Sequence, residues 1–210
     1  MSLDIQDLFR RARVLPVVTI ASVSDAIPLA EALLAGGLRA IEVTLRTPAG
    51  LAGIEAIAAK VPDMAVGAGT VLSPADLRAV AAAGAQFALS PGATPELLVA
   101  ARTSPIPFVP GVASASEVMA VLAAGLTTMK LFPAAILGGP AMLKALHGPL
   151  GQAMFCPTGG VSLDNAHAYL AEPNVLCVGG TWIAPSDLIA AGDWPAITAR
   201  AAAAASALSA

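Results

Sequence analysis

Residues 65–90, AVGAGTVLSPADLRAVAAAGAQFALS, carry one complete structural unit in a single reading. Ala65–Gly69 is a short apolar run of strand length. Ser73-Pro74 then opens a helix: a serine hydroxyl can accept a hydrogen bond from one of the unpaired amides at a helix start. Proline at the first helical position loses nothing by lacking an N–H. Ala75–Ala83 reads as that helix, and Gly84 ends it, because glycine takes the left-handed conformation of a helix stop without steric cost. Gln86–Ser90 is the next apolar run, so the segment is a compact βα unit followed by its successor strand.

The same alternation extends in both directions. The remaining strand candidates are Leu15–Ile20, Ala40–Leu45, Pro107–Pro110, Thr128–Phe132, Met154–Thr158 and Val175–Gly179. The centres of the eight fall roughly 20–26 residues apart, the length of a βα unit with short loops. Between them Ser24 precedes Asp25–Leu34, Thr94-Pro95-Glu96 opens another helix, and Ser114 or Ser116 starts a run to Ala124 that stops at Gly125. Ala199–Ala210 reads as a final helix packed outside. Eight strands alternating with eight helices predict a (β/α)8 TIM barrel, one domain over residues 1–210, with lean loops. A doubly wound open sheet would carry a glycine-rich dinucleotide turn after its first strand. Here Ile20 is followed by Ala-Ser-Val-Ser-Asp, and Gly67-Ala68-Gly69 lacks the third glycine.

Composition narrows the function classes. The chain is 57% hydrophobic and 12% charged, against about 45–50% and 25% in ordinary domains. Glycine and proline nevertheless interrupt the uncharged segments 79–95 and 145–163, so no membrane span is expected. The N-terminus shows no signal-peptide pattern, and two cysteines, Cys156 and Cys177, do not make a secreted disulfide framework. They read as small core residues, and the expected location is cytoplasmic. A net charge of -3, with no basic cluster beyond Arg10–Arg13, argues against a nucleic-acid partner. His147 and His167 have no metal-ligand neighbours at the usual spacing, so no metal site is expected.

Two residues break the apolar pattern inside strands. Of three lysines, Lys60 and Lys144 read as solvated helix residues, whereas Lys130 lies in Thr128-Met129-Lys130-Leu131-Phe132. Alternation sends Met129 and Leu131 toward the helices and Lys130 into the barrel with Thr128 and Phe132. Burial there favours the neutral amine, which is the nucleophilic form. In Ala40-Ile41-Glu42-Val43-Thr44-Leu45-Arg46, the inward set is Ala40, Glu42, Thr44 and Arg46. A buried carboxylate needs a partner, and Lys130 is the lysine that faces the same interior. The pair is either a structural ion pair or a proton shuttle, and Arg46 either clamps a substrate carboxylate or bridges to Glu42. Pro157-Thr158-Gly159-Gly160 and Val178-Gly179-Gly180-Thr181 place paired glycines after the last two strands, where barrels often hold phosphate. Two tight turns without a ligand would read the same way.

Six motifs then occur in order: Glu42-Val43-Thr44-Leu45-Arg46-Thr47, Gly67-Ala68-Gly69-Thr70-Val71-Leu72, Ser90-Pro91-Gly92, Lys130-Leu131-Phe132-Pro133-Ala134, Cys156-Pro157-Thr158-Gly159-Gly160-Val161 and Val178-Gly179-Gly180-Thr181-Trp182. Together they closely resemble the 2-keto-3-deoxy-6-phosphogluconate (KDPG) aldolase family of bacteria, from about Pro16 to about Trp194. The resemblance implies a homotrimeric class I aldolase that cleaves a phosphorylated keto-deoxy sugar acid to pyruvate and glyceraldehyde 3-phosphate. It implies Lys130 as the Schiff-base lysine, Glu42 as general acid and base, and Arg46 and Thr70 on the pyruvate carboxylate. It further implies Pro91, Phe132 and Thr158 as substrate contacts, Thr158 being tied to substrate stereochemistry, and Gly159, Gly160, Gly179, Gly180 and Thr181 around the phosphate. Cleavage of 4-hydroxy-2-oxoglutarate is an expected side activity. The rivals are a 6-phosphogalactonate-type aldolase with the same lysine chemistry and a non-catalytic phosphosugar-binding barrel. The family often reads Lys-Phe-Phe-Pro-Ala-Glu, so Leu131 and Ala135 depart from it, the second by removing a polar group at the mouth.

Overall fold

The structure is a computed structural model that describes residues 3–209. Strand β1 (Val14–Val18) is followed by β2 (Ala40–Thr44), β3 (Ala65–Gly69), β4 (Phe87–Leu89), β5 (Phe108–Val109), β6 (Gly111–Val112), β7 (Thr128–Leu131), β8 (Met154–Phe155) and β9 (Val178–Gly180). Six of them form a parallel sheet in the order β5-β4-β3-β2-β1-β9, and three form a second parallel sheet, β6-β7-β8. Isolated parallel bridges, Phe155 to Val175 and Thr158 to Gly179, run between the chain around β8 and the chain around β9. The architecture is a barrel-like α/β arrangement of parallel strands with helices outside.

Nine short strands stand where eight were expected. Pro110 accounts for the extra one: it has no N–H for a ladder, so it separates β5 from β6 within one extended stretch. The two runs expected at Met154–Thr158 and Val175–Gly179 are shorter ladders, continued by the isolated bridges.

The helices are α1 (Ile5–Ala12), α2 (Ala26–Ala35), α3 (Ala49–Lys60), α4 (Pro74–Ala82), α5 (Pro95–Ala101), α6 (Ala115–Ala123), α7 (Pro140–His147), α8 (Leu163–Leu170), α9 (Ser186–Ala191) and α10 (Trp194–Leu208). Ser73, Thr94 and Ser114 cap α4, α5 and α6, each hydroxyl accepting an amide from the first turn. At α2 the expectation is corrected: a 3-10 turn at Val23–Asp25 comes first, and Ser22 rather than Ser24 supplies its cap by accepting the Ser24 amide. The alanine-rich tail helix begins earlier than expected, at Trp194, because Asp193 caps it; the expected end at Ala210 lies outside the described residues. None of the helices among the described residues is long and apolar enough to cross a membrane.

Two apolar layers hold the fold. An outer one packs strand residues such as Val18, Ile41, Val43, Met129 and Leu131 against the helices. An inner one gathers Leu15, Ala40, Phe87, Leu89, Val109, Cys156, Leu176 and Cys177 with Phe9 of α1. Phe9 meets Phe87 edge to face at 5.7 Å between ring centres. Helix α1 thereby covers one end of the strands, and Arg13, its C-terminal cap, donates from Nε to the carbonyl of Leu208 at 3.2 Å. Only the opposite end of the interior is left for polar chemistry.

Candidate active site

Strand β2 carries Ala40, Glu42 and Thr44 on its inner face, while Ile41 and Val43 belong to the outer layer. Strand β7 likewise sends Met129 and Leu131 outward, leaving Lys130 inside. Glu42 is 0% exposed and Lys130 5% exposed. The Lys130 Nζ donates to Glu42 Oε1 at 2.8 Å and to Oε2 at 3.2 Å, so the buried pair expected from alternation is made. Both charges are compensated by this short, two-pronged contact, which is what allows them to persist away from water. The Phe132 ring lies 5.7 Å from the ammonium and adds its π face to the lysine's surroundings.

Room for the carboxylate comes from Gly69. A Cβ at that position would overlap Glu42 Oε1, so the Glu42 head rises along the strand axis to the level of Gly69. Gly69 pairs in register with Thr44, which puts the carboxylate one inward step above its own Cα.

The next residue, Thr70, has φ 61°. A β-branched side chain in the left-handed region is strained by about 1–3 kcal/mol. Thr70 directly follows Gly69 at the end of β3 and is half-buried there. Arg46 lies just beyond β2 and is exposed. Among the described residues its guanidinium has no ion-pair partner, so the bridge to Glu42 is not formed and Arg46 is free at the rim. Pro91 and Phe132, both half-buried, follow β4 and β7 at the same end.

The glycine turns lie beside them. Gly159 and Gly160 have φ 97° and 76°, and among the described residues their amides have no hydrogen-bond acceptor, nor does that of Thr181. Consecutive unpaired amides of this kind form a concavity suited to an anion. Thr158, 5% exposed, is bridged to Gly179, whose amide donates to the Pro157 carbonyl at 2.9 Å. Gly179 and Gly180 are buried, and Thr181 is exposed. Ala135, where the resembled family often has glutamate, is exposed and donates its amide to the Gly159 carbonyl at 2.9 Å, so the β7–α7 loop props the glycine turn.

Lys130, Glu42, Thr70, Pro91, Phe132, Thr158 and the glycine turns therefore gather at the C-terminal ends of the strands. A cavity of about 350 Å³ at the other end, lined by Leu8, Arg11, Leu38, Arg39, Asp63 and Gln86 among others, contains neither a lysine nor a glutamate. Two further hydroxyls face the interior besides the site residues expected from the sequence: Thr19, and Ser90, whose Oγ accepts the Gly111 amide at 3.2 Å. Their signal was available, since a hydroxyl on the inward register of an apolar strand is the same kind of anomaly as Lys130.

Cys156 and Cys177 are fully buried in the inner apolar layer. Burial first, and then the neighbouring Cys156 thiol, push the Cys177 thiol well above its ordinary value, so it sits there as a protonated, unreactive group.

A sequence profile described as KDPG and KHG aldolase matches residues 5–200. The 2-dehydro-3-deoxy-phosphogluconate aldolase of Pseudomonas aeruginosa is 53% identical over 190 residues, covering 90% of this chain and 86% of that one. The KHG/KDPG aldolase of Escherichia coli K12 is 50% identical over 185 residues, covering 88% and 87%. Among solved structures, the KDPG aldolase of Legionella pneumophila, with pyruvate captured as a covalent carbinolamine, superposes with a TM-score of 0.94 at 48% identity, covering 97% of this chain and 99% of that one. A profile match along almost the whole chain and identities near one half leave one conclusion: this chain belongs to the KDPG and KHG aldolase family.

Proposed function

We propose that the protein is a class I aldolase that reversibly cleaves 2-dehydro-3-deoxy-6-phosphogluconate to pyruvate and glyceraldehyde 3-phosphate, and 4-hydroxy-2-oxoglutarate to pyruvate and glyoxylate. The observation that carries the reading is the buried Lys130–Glu42 contact at 2.8 Å. An amine and a carboxylate held this way can exchange a proton without help from solvent, leaving the amine as nucleophile.

The neutral Lys130 amine adds to the C2 ketone, and loss of water gives an iminium. Glu42 then takes the C4 hydroxyl proton as the C3–C4 bond breaks; the bonding electrons flow into the iminium, and the aldehyde departs. The remaining enamine regains a proton at C3 from Glu42, and water hydrolyses the iminium to release pyruvate and restore the amine. The iminium is the electron sink, so the reaction requires neither metal nor organic cofactor. Arg46 and Thr70 hold the carboxylate end, Pro91, Phe132 and Thr158 line the middle, and the amides near Gly159, Gly160, Gly179, Gly180 and Thr181 hold the phosphate. Anchors at both ends of an acyclic substrate supply the orientation the reaction needs.

In the same reading the two sheets are parts of one closed (β/α)8 barrel, a single domain over residues 1–210. The bridges from Phe155 to Val175 and from Thr158 to Gly179, and the single residue between β5 and β6, support that closure. The family resemblance supports a homotrimer working in the cytoplasm.

Incubation with pyruvate and borohydride, followed by peptide mass analysis, is expected to find a stable reduced adduct on Lys130. Pyruvate release from the phosphogluconate substrate is expected to survive chelator. An adduct elsewhere, or loss of activity to chelator, would overturn the reading.

A further inference from the structure

We infer that Thr19 is a specificity-determining residue, whose hydroxyl accepts a hydrogen bond from a hydroxyl group on the aldehyde half of the substrate. The inference rests on the aldolase reading above. Its starting point is the register of the first two strands. Val17 pairs with Glu42 and Val18 with Val43, so the next step places Thr19 beside Thr44. Val18 and Ile20 belong to the outer apolar layer, which leaves Thr19 on the inner side.

The two hydroxyls are 2.8 Å apart, and Thr44 Oγ1 also lies 3.0 Å from the Val18 carbonyl. A threonine hydroxyl has one proton and two lone pairs. The carbonyl can only accept, so the Thr44 proton goes to Val18, and the contact between hydroxyls must use the proton of Thr19. Both protons are then committed. Thr44 is fully buried, with an acceptor position filled by Thr19. Thr19 is half-buried, and among the described residues nothing donates to it. Its oxygen is left as an acceptor that only a donor from outside the chain can satisfy.

The height of this oxygen fits the reaction. The Glu42 head reaches the level of Gly69, which is the level of Thr44 and therefore of Thr19. A substrate whose C4 hydroxyl faces Glu42 continues from that level toward the phosphate turn. The phosphogluconate substrate carries a further hydroxyl there and can donate it to Thr19. The corresponding part of 4-hydroxy-2-oxoglutarate is a carboxylate, which has no proton to give and meets an acceptor. Thr19 thus favours hydroxylated aldehyde halves over carboxylated ones.

The test is a two-substrate comparison of Thr19→Val, which keeps the shape and removes the hydroxyl, and Thr19→Ser, which keeps the hydroxyl. One neutral hydrogen bond is worth about 0.5–1.5 kcal/mol, or roughly two- to twelve-fold. Thr19→Val is expected to lose that much in kcat/KM on the phosphogluconate substrate, to lose nothing on 4-hydroxy-2-oxoglutarate, and to trap pyruvate on Lys130 with borohydride as the wild type does. Thr19→Ser is expected to keep the wild-type ratio of the two substrates. An equal loss on both substrates, or no change on either, would reduce Thr19 to a tie between β1 and β2 and overturn the inference while leaving the aldolase reading intact. Failure of the wild type to release pyruvate from either substrate would remove the aldolase reading and this inference with it.

Discussion

The interior of the strands has two ends built from the same alternation, and they differ by a single inward step. Along β2 the inner face reads Ala40, Glu42, Thr44: the first joins the apolar plug, the second holds Lys130, and the third bonds Thr19. After β8 the same step leads from Cys156 in the plug to Thr158 beside the glycine turns. Two residues of extended chain advance only about 6.6–6.8 Å. Over that distance the interior changes from a region where Phe9 and Phe87 exclude water to one where a charged pair and a string of hydroxyls await a ligand. The plug end is closed by a helix that arrives from outside the repeat. A charged pair is tolerated beside an apolar plug because each ion's partner is the other, not because the surroundings solvate them.

The largest effect should come from breaking the pair. Lys130→Met is expected to lower pyruvate release by about 10⁴-fold or more, since it removes the proposed nucleophile. It should also cost about 3–5 kcal/mol of stability, because Glu42 is left buried and uncompensated. Adding Glu42→Leu to the same chain is expected to restore most of the stability and none of the activity, which urea unfolding and a coupled pyruvate assay would separate. Equal stability of the single and double variants would show that the pair is better solvated than its burial indicates.

Phe9→Ala attacks the other end. Loss of a fully buried aromatic from the plug is expected to cost about 3–5 kcal/mol. At temperatures where the variant stays folded, kcat/KM should be unchanged, because the plug touches no substrate. A large loss of kcat/KM with intact folding would mean that the two ends are mechanically coupled.

The smallest effect concerns pH. The Cys177 thiol is raised in the folded protein, so above an ordinary thiol value of about 8.5 the unfolded chain releases a proton that the folded chain keeps. Stability contributed this way is complete below the unfolded value and is lost as pH rises toward the folded one. The expected slope is up to about 1.4 kcal/mol per pH unit, seen as a falling urea midpoint between neutral and alkaline pH. Cys177→Ala should flatten it; an unchanged slope would place its origin elsewhere.

Much of this was legible in the residues. Period-two alternation is a local property, and it assigned Lys130 and Glu42 to the same interior before any contact was known. Ser73, Thr94 and Ser114 marked helix starts, because a cap is settled within one turn. The charge-poor composition also made Lys130 conspicuous among only three lysines. Helix α1 was not foreseen: its amphipathic face is short, and nothing in it says that it covers the end of a sheet formed later in the chain. The division of one strand at Pro110 was missed for a similar reason, since proline's effect depends on which neighbour its missing N–H would have served.

By itself, then, the sequence determined which side chains face inward, where the helices capped by Ser73, Thr94 and Ser114 start, and that one lysine and one glutamate share an interior. Only the tertiary structure decided their heights. Whether Glu42 stands level with Gly69, Thr44 and Thr19 depends on the stagger of three separate chain segments, and stagger is set by packing between strands rather than within them. That is why the buried pair was readable from the residues, whereas the level at which Thr19 stands beside it was fixed only by the register of the strands.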